Sequence, residues 1–234
     1  MIPAFNEESR LPGTLDTTLT YLGRQAYSAE IIVADDGSAD GTAKAVERYA
    51  ASTIPVRLLR LPHRGKGHAV KQGMLAAKGR YRFQCDADLA MPIEQVERFL
   101  PPAPADVDIA VGSREAPGAK RYNEQWHRHM MGRIFNTIIR ILAVPKVQDT
   151  QCGFKCFRGE AAERLFALQQ LDGFAFDVEI LFVARKLGLR TTDVAIDWHH
   201  SRDSRVRAVR DTLAMLGDLL RIRLNNLRGR YRIK

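Results

Sequence analysis

Three short β-prone runs in this chain each stop at a polar turn. Glu30-Ile31-Ile32-Val33-Ala34 ends at Asp35-Asp36-Gly37-Ser38, and Val56-Arg57-Leu58-Leu59 leads through Pro62 to Arg64-Gly65-Lys66-Gly67. The third, Tyr81-Arg82-Phe83-Gln84-Cys85, ends at Asp86-Ala87-Asp88. Helical patterns fill the gaps: one over residues 41–51, with Ala43, Val46 and Ala50 on a common face, and one ending near Gly79. Strands alternating with helices predict an α/β fold with a doubly wound, mostly parallel, Rossmann-like sheet. In such a sheet the three turns converge on the rim formed by the strands' carboxyl ends, where ligands bind.

The rest of the chain extends this pattern. Pro92 fits the first turn of a helix over 93–100. Pro101-Pro102-Ala103-Pro104 breaks the chain before a strand over 107–111. Helices are predicted over 125–142 and 174–187, the latter with Phe176, Ile180, Val183, Ala184 and Leu187 on one stripe. Met1 to Phe5 reads as the tail of a first strand, either short and edge-like or starting upstream. With 234 residues, 45% of them hydrophobic, the chain can bury one core over residues 1–200 and carry an extension over 201–234.

No run approaches the roughly 20 apolar residues of a membrane span. The most apolar stretch, 134–144, contains Asn136 and Arg140. Cys85, Cys152 and Cys156 are an odd set in a chain too large to need disulfides, which points to a reducing compartment and small buried side chains. The six histidines read as polar surface, and Trp198 reads as packing where the last strand leaves the sheet.

Asp86 and Asp88, one residue apart at a strand's end, are hard oxygen ligands of the kind Mg²⁺ or Mn²⁺ takes, and such an ion can hold a diphosphate. Two loop aspartates also make an ordinary solvated turn. Asp35 and Asp36 exceed what a helix cap needs, so one of them can accept hydrogen bonds from a base or ribose. Gly65-Lys66-Gly67 either lets backbone N–H groups approach a phosphate, with Lys66 as a point charge, or is a surface turn.

These motifs, with Ile2-Pro3-Ala4-Phe5-Asn6-Glu7-Glu8, resemble the GT-A nucleotide-sugar transferases of glycosyltransferase family 2. The similarity sharpens in the second half. Gly112-Ser113-Arg114, Gln148-Asp149-Thr150-Gln151-Cys152-Gly153-Phe154-Lys155 and Phe174-Ala175-Phe176-Asp177-Val178-Glu179 look like the dolichyl-phosphate and polyprenyl-phosphate β-glucosyltransferase branch. Trp198, Ser204-Arg205-Val206 and 218–223 carry it nearly to the end.

The resemblance implies a metal-dependent, inverting hexosyltransferase that uses a nucleotide-sugar donor, most simply UDP-glucose, and a polyprenyl or dolichyl phosphate acceptor. It assigns Mg²⁺ or Mn²⁺ to Asp86 and Asp88, and the catalytic centre to Asp88, Asp177 and Arg114. Donor contacts fall to Pro3, Glu7, Asp35, Asp36, Lys66, Asp86, Asp149 and Gln151. Arg114, Arg121, Arg128 and Arg133 are the candidates for the acceptor phosphate, and Asp149, Gln151, Asp177 and Glu179 for the sugar and acceptor side. Alternatives within the family are a GDP-mannose donor or a glycan hydroxyl acceptor. A nucleotidyltransferase would carry a Gly-rich signature where Asn6-Glu7-Glu8 stands.

The charge of +9 is uneven: residues 201–234 hold nine Arg and one Lys against three Asp, a net +7. Val206, Val209, Leu213, Leu216, Leu220, Leu224 and Leu227 recur at spacings of three and four, so this tail is a basic amphipathic helix. Three roles suit it: packing on the core, lying on an anionic membrane surface, or binding nucleic acid. The last expects aromatic platforms, and Tyr231 is the only aromatic after position 200. A lipid-phosphate acceptor favours the membrane, so the expected location is peripheral, at the cytoplasmic membrane face.

Overall fold

A computed structural model describes residues 1–104, 106–123, 144, 147–199 and 208–232. The predicted helix over 125–142, with Arg128 and Arg133, therefore lies outside the described residues.

Strands β1 (Ile2–Ala4), β2 (Ile31–Asp35) and β3 (Val56–Arg60) pair in parallel in that order. A second ladder runs β4 (Tyr81–Gln84), β7 (Lys155–Arg158), β5 (Ile109–Ser113), β8 (Thr191–Ala195). β7 is antiparallel to both β4 and β5, while β5 and β8 are parallel. Cys85 N donates to Met1 O at 3.0 Å, so β1 lies beside β4 and the two ladders continue one another. The sheet is thus mostly parallel, with β7 as its single reversal among these strands. A small parallel pair, β6 (Lys120–Tyr122) with β9 (Asp197–His199), stands apart.

Helices cover both faces. α1 (Leu11–Leu22) and a 3-10 helix over Ile93–Phe99 bury Leu11, Leu15, Tyr21, Ile93, Val96 and Phe99 on one side. There Phe83, Phe99 and Phe154 meet edge to face at 4.5 to 5.4 Å. α3 (Lys66–Ala76), α4 (Gly159–Leu168) and α5 (Phe176–Lys186) bury Val70, Met74, Leu165, Phe166, Phe176 and Ile180 on the other. Each such side chain contributes about 2 kcal/mol by leaving water. α2 (Thr42–Glu47) is shorter than the 41–51 pattern suggests, and 93–99 winds more tightly than an α-helix.

The last helix, α6 (Ala208–Leu227), covers most of the predicted amphipathic segment, and it turns two different apolar faces to its surroundings. Met215, Leu219 and Ile222 face the core, while Leu220, Leu224 and Leu227 of the sequence stripe are exposed. Tyr231, beyond the helix, is fully buried, and its hydroxyl donates to Glu179 Oε1 at 2.5 Å.

Candidate active site

The carboxyl ends of β1 to β5 share one rim, because β1 to β3 are parallel, β1 flanks β4, and β7 reverses between β4 and β5. The first two turns are laced together there. Asn6, in the left-handed region (φ 54°), donates its N–H to Ser38 Oγ at 2.8 Å and accepts from Ala39 N at 2.8 Å. Glu7 is nearly buried, its N–H on Thr42 Oγ1 at 2.7 Å and its carboxylate 3.4 Å from Arg10; Pro3 sits half-buried within β1.

Asp35 and Asp36 are both buried, and both serve the protein's own turns. Asp35 Oδ1 accepts from Ser38 N at 3.0 Å and from the Ser38 hydroxyl. Asp36 accepts from Arg64 N at 3.0 Å and Gly65 N at 2.8 Å, and its Oδ2 lies 2.8 Å from His63 Nδ1. His63 in turn stacks on Phe5, ring centres 4.2 Å apart, forming an exposed aromatic pair at the β1 end of the rim. The sequence reading placed His63 among surface histidines and gave Phe5 no role of its own; an aromatic following β1 was the available signal.

Gly65 and Gly67 also have a structural cause. A Cβ on Gly65 would lie 2.6 Å from Asp172 O, and one on Gly67 2.8 Å from Gly173 O. The glycines let this turn press against the 171–173 loop, and Arg64 fastens it through both Nε and NH2 to Asp172 Oδ2, at 3.1 and 2.6 Å. That packing sets Lys66 at the start of α3, with Nζ 2.7 Å from Asp86 Oδ1. Burial disfavours the Lys66 charge, but Asp86, Asp177 and Asp88 outweigh it and raise its pKa.

Asp86 follows β4, and Gly153 backs it: a Cβ there would fall 1.9 Å from Asp86 Oδ2. Oδ1 is shielded from water and held by the Lys66 ammonium. Asp88 is exposed and accepts from Ala90 N at 3.1 Å. No cluster of three or more His, Cys, Asp or Glu converges as a metal cage among the described residues. Two carboxylates, one of them cradled by Gly153, fit Mg²⁺ or Mn²⁺ all the same, since such ions complete their shell with diphosphate oxygens and water.

Two further ion pairs flank this centre. Lys155, 1% exposed, lies 2.6 Å from Asp177 Oδ1 at the start of α5. Burial raises the Asp177 pKa against the pull of Lys155 and Lys66. Asp149 holds Arg114 in a fork, Oδ2 to Nε 2.6 Å and Oδ1 to NH2 2.9 Å, and accepts from Arg114 N at 3.2 Å. Burial alone would raise Asp149; the Arg114 charge and its hydrogen bonds win, and its pKa is lowered. The guanidinium lies over the Trp198 ring at 5.3 Å. Arg121 donates to Arg114 O at 3.3 Å and pairs with Glu115.

Gln151 Nε2 reaches Met215 Sδ on α6 at 3.3 Å. Glu179 does not line the site: it is fully buried and holds Gln170 N, Leu171 N and the Tyr231 hydroxyl. The cysteines are free and buried, and burial pushes Cys152 and Cys156 up to about 12, so they remain thiols.

A doubly wound sheet whose rim joins a carboxylate pair, a lysine and a forked arginine is built to hold an anionic, diphosphate-type ligand. The family model described as Glycosyl transferase family 2 matches residues 1–166. The chain is 36% identical to the dolichyl-phosphate beta-glucosyltransferase of Dictyostelium discoideum, across all of this chain and 76% of that protein. It is 34% identical to the human protein of the same description, across all of this chain and 77% of that one. Among solved structures it is similar to glucosyl-3-phosphoglycerate synthase from Mycobacterium tuberculosis in complex with UDP. The TM-score is 0.67 at 19% identity, over 94% of this chain and 78% of that one. The same synthase with Mn²⁺, UDP-glucose and phosphoglyceric acid also gives 0.67, at 16% identity, over 94% and 77%. The chain belongs to glycosyltransferase family 2, and within it resembles the dolichyl-phosphate glucosyltransferase branch.

Proposed function

We propose that this transferase moves glucose from UDP-glucose onto a polyprenyl or dolichyl phosphate, with Mg²⁺ or Mn²⁺ on Asp86 and Asp88, at the cytoplasmic face of a membrane. The family relatives support glucose and the lipid phosphate; UDP-glucose and Mn²⁺ occur together in a synthase of the same fold.

The observation that carries the acceptor class is the Lys155–Asp177 pair at 2.6 Å. A hydroxyl acceptor needs a base to take its proton, and Asp177, the carboxylate the family resemblance assigns to the acceptor side, is paired with a buried cation. A phosphate monoester, with its second pKa near ~6, arrives already ionised and needs positioning instead. Arg114, held rigid by Asp149, and Arg121 are the guanidinium groups that would position it, with Arg128 and Arg133 as further candidates.

An acceptor phosphate oxygen forms the new bond to the anomeric carbon as the bond to the donor's β-phosphate oxygen breaks and UDP leaves. Attack from the opposite side inverts the configuration and gives a β-linked product. The divalent ion, when bound, neutralises charge on the departing diphosphate. Lys66 adds a second positive charge on that side, Asp177 and Gln151 orient the sugar, and Pro3, Glu7, Asp35 and Asp36 shape the nucleoside pocket. The Phe5–His63 pair offers the base an aromatic surface.

The test is purified protein with Mn²⁺ or Mg²⁺, a panel of labelled sugar nucleotides and a short prenyl phosphate, followed by organic extraction. Label from UDP-glucose enters the organic phase. Transfer from GDP-mannose alone, or into water-soluble product alone, overturns the assignment.

A further inference from the structure

α6 carries two apolar faces, and the core uses only one. Met215, Leu219 and Ile222 are 6%, 4% and 0% exposed, whereas Leu220, Leu224 and Leu227 are 68%, 47% and 81% exposed. The spacings of four and three put these three leucines on one ridge, roughly half a turn from the buried face. Leu216, half-buried and packed against the core, borders the ridge one helical turn earlier. Single exposed leucines are ordinary; a continuous ridge of them marks a surface that something covers.

The surrounding charge says what covers it. Arg221 and Arg228 flank one side of the ridge and Arg223 the other, and Arg230 and Arg232 follow; all five are exposed. Against them residues 214–232 hold one acidic side chain, Asp218, which pairs with Arg221 at 3.0 Å, so the segment carries five minus one, or +4. An apolar ridge bordered by guanidinium groups matches an anionic bilayer. The leucines enter the acyl boundary while the arginines remain at phosphate level.

The helix is also fixed to the catalytic body. Tyr231 is clamped by Glu179, Lys186 Nζ reaches Asn226 Oδ1 at 2.5 Å, and Met215 touches Gln151. A Cβ on Gly173 would lie 3.9 Å from Asp218 Oδ2, so the loop beside Lys66 borders the same helix. Docking through the ridge therefore orients the site and does not merely tether it. We propose that the outer face of α6 (Leu220, Leu224 and Leu227 with Arg221, Arg223 and Arg228) is the surface on which this protein lies on an anionic leaflet. The face sets the acceptor side of the site toward the lipid. The orientation rests on the lipid-phosphate acceptor proposed above; the docking itself does not.

The test uses the full chain and vesicles of phosphatidylcholine alone or mixed with phosphatidylglycerol, without donor or acceptor. Wild type floats with the mixed vesicles. L220S/L224S/L227S lowers the bound fraction by at least about tenfold, and R221Q/R228Q does so less and loses the preference for anionic lipid. Because all five positions are exposed, both variants keep the wild-type melting temperature and the wild-type transfer to a short prenyl phosphate presented without vesicles. Undiminished flotation of both variants overturns the proposal. So does a wild-type dimer that the leucine variant dissociates, which makes the ridge a self-interface, or retention of the tail by duplex DNA but not by vesicles. Loss of transfer by wild type with flotation intact contradicts the acceptor assignment and leaves the docking face standing.

Discussion

Gly153 shows how one missing methyl group shapes the site. Its absent Cβ leaves room for Asp86 Oδ2, which a side chain would meet at 1.9 Å. Gly153→Ala must displace the half-buried Asp86 carboxyl group and not a backbone segment, so the fold persists while the metal ligand moves. Mn²⁺ affinity in the presence of UDP falls by about 10–100-fold, as for other groups that orient a ligand, with the thermal melt little changed. Titration followed by electron paramagnetic resonance checks it; unaltered affinity shows the cradle to be idle. The Asp149–Arg114 fork gives a pH-dependent prediction. The pKa of Asp149 is lowered in the folded chain, so the pair's stabilisation is present above the ordinary carboxylate range and is lost as pH falls through the depressed value. Arg114→Met leaves a buried carboxylate uncompensated and costs about 3 kcal/mol at neutral pH. Its deficit against wild type shrinks as pH falls toward 4, because Asp149 of the variant, without Arg114 and raised by burial, protonates first; thermal melts across that range record it. A deficit that stays constant with pH removes the electrostatic explanation.

At the scale of elements, the strand ends were legible because β-prone runs stopping at Asp35, Lys66 and Asp86 must share a rim once the strands are parallel. What local pattern could not show is what each polar group does after folding. Asp36 holds the Arg64–Gly65 backbone, and Gly65 and Gly67 exist for close approach to Asp172 and Gly173. Glu179 turns inward to hold Gln170, Leu171 and Tyr231, all distant enough in sequence or conformation to leave no spacing signal. α6 shows the same limit in apolar residues. Spacings of three and four identified a ridge correctly, but the core took the rival set of Met215, Leu219 and Ile222. Periodicity finds faces; only the partner surface decides which one is buried.

For the molecule as a whole, the sheet and its two helical layers bring four carboxylates (Asp86, Asp88, Asp149, Asp177) and three cations (Lys66, Lys155, Arg114) to one rim. Two of the cations are spent on fixed pairs with Asp177 and Asp149, leaving the Asp86–Asp88 side net acidic beside Lys66. That imbalance suits a dication arriving with a diphosphate. The β7 reversal contributes by delivering Lys155 and the 148–154 loop to the same rim from the opposite direction.

The most direct measurement is Mn²⁺ binding in the presence of UDP by wild type and by Asp88→Asn, read by electron paramagnetic resonance on folded protein. Acidic groups that grip the ion against pyrophosphate oxygens require a loss of at least about tenfold in the variant, with circular dichroism unchanged. Equal binding by the two proteins contradicts the account.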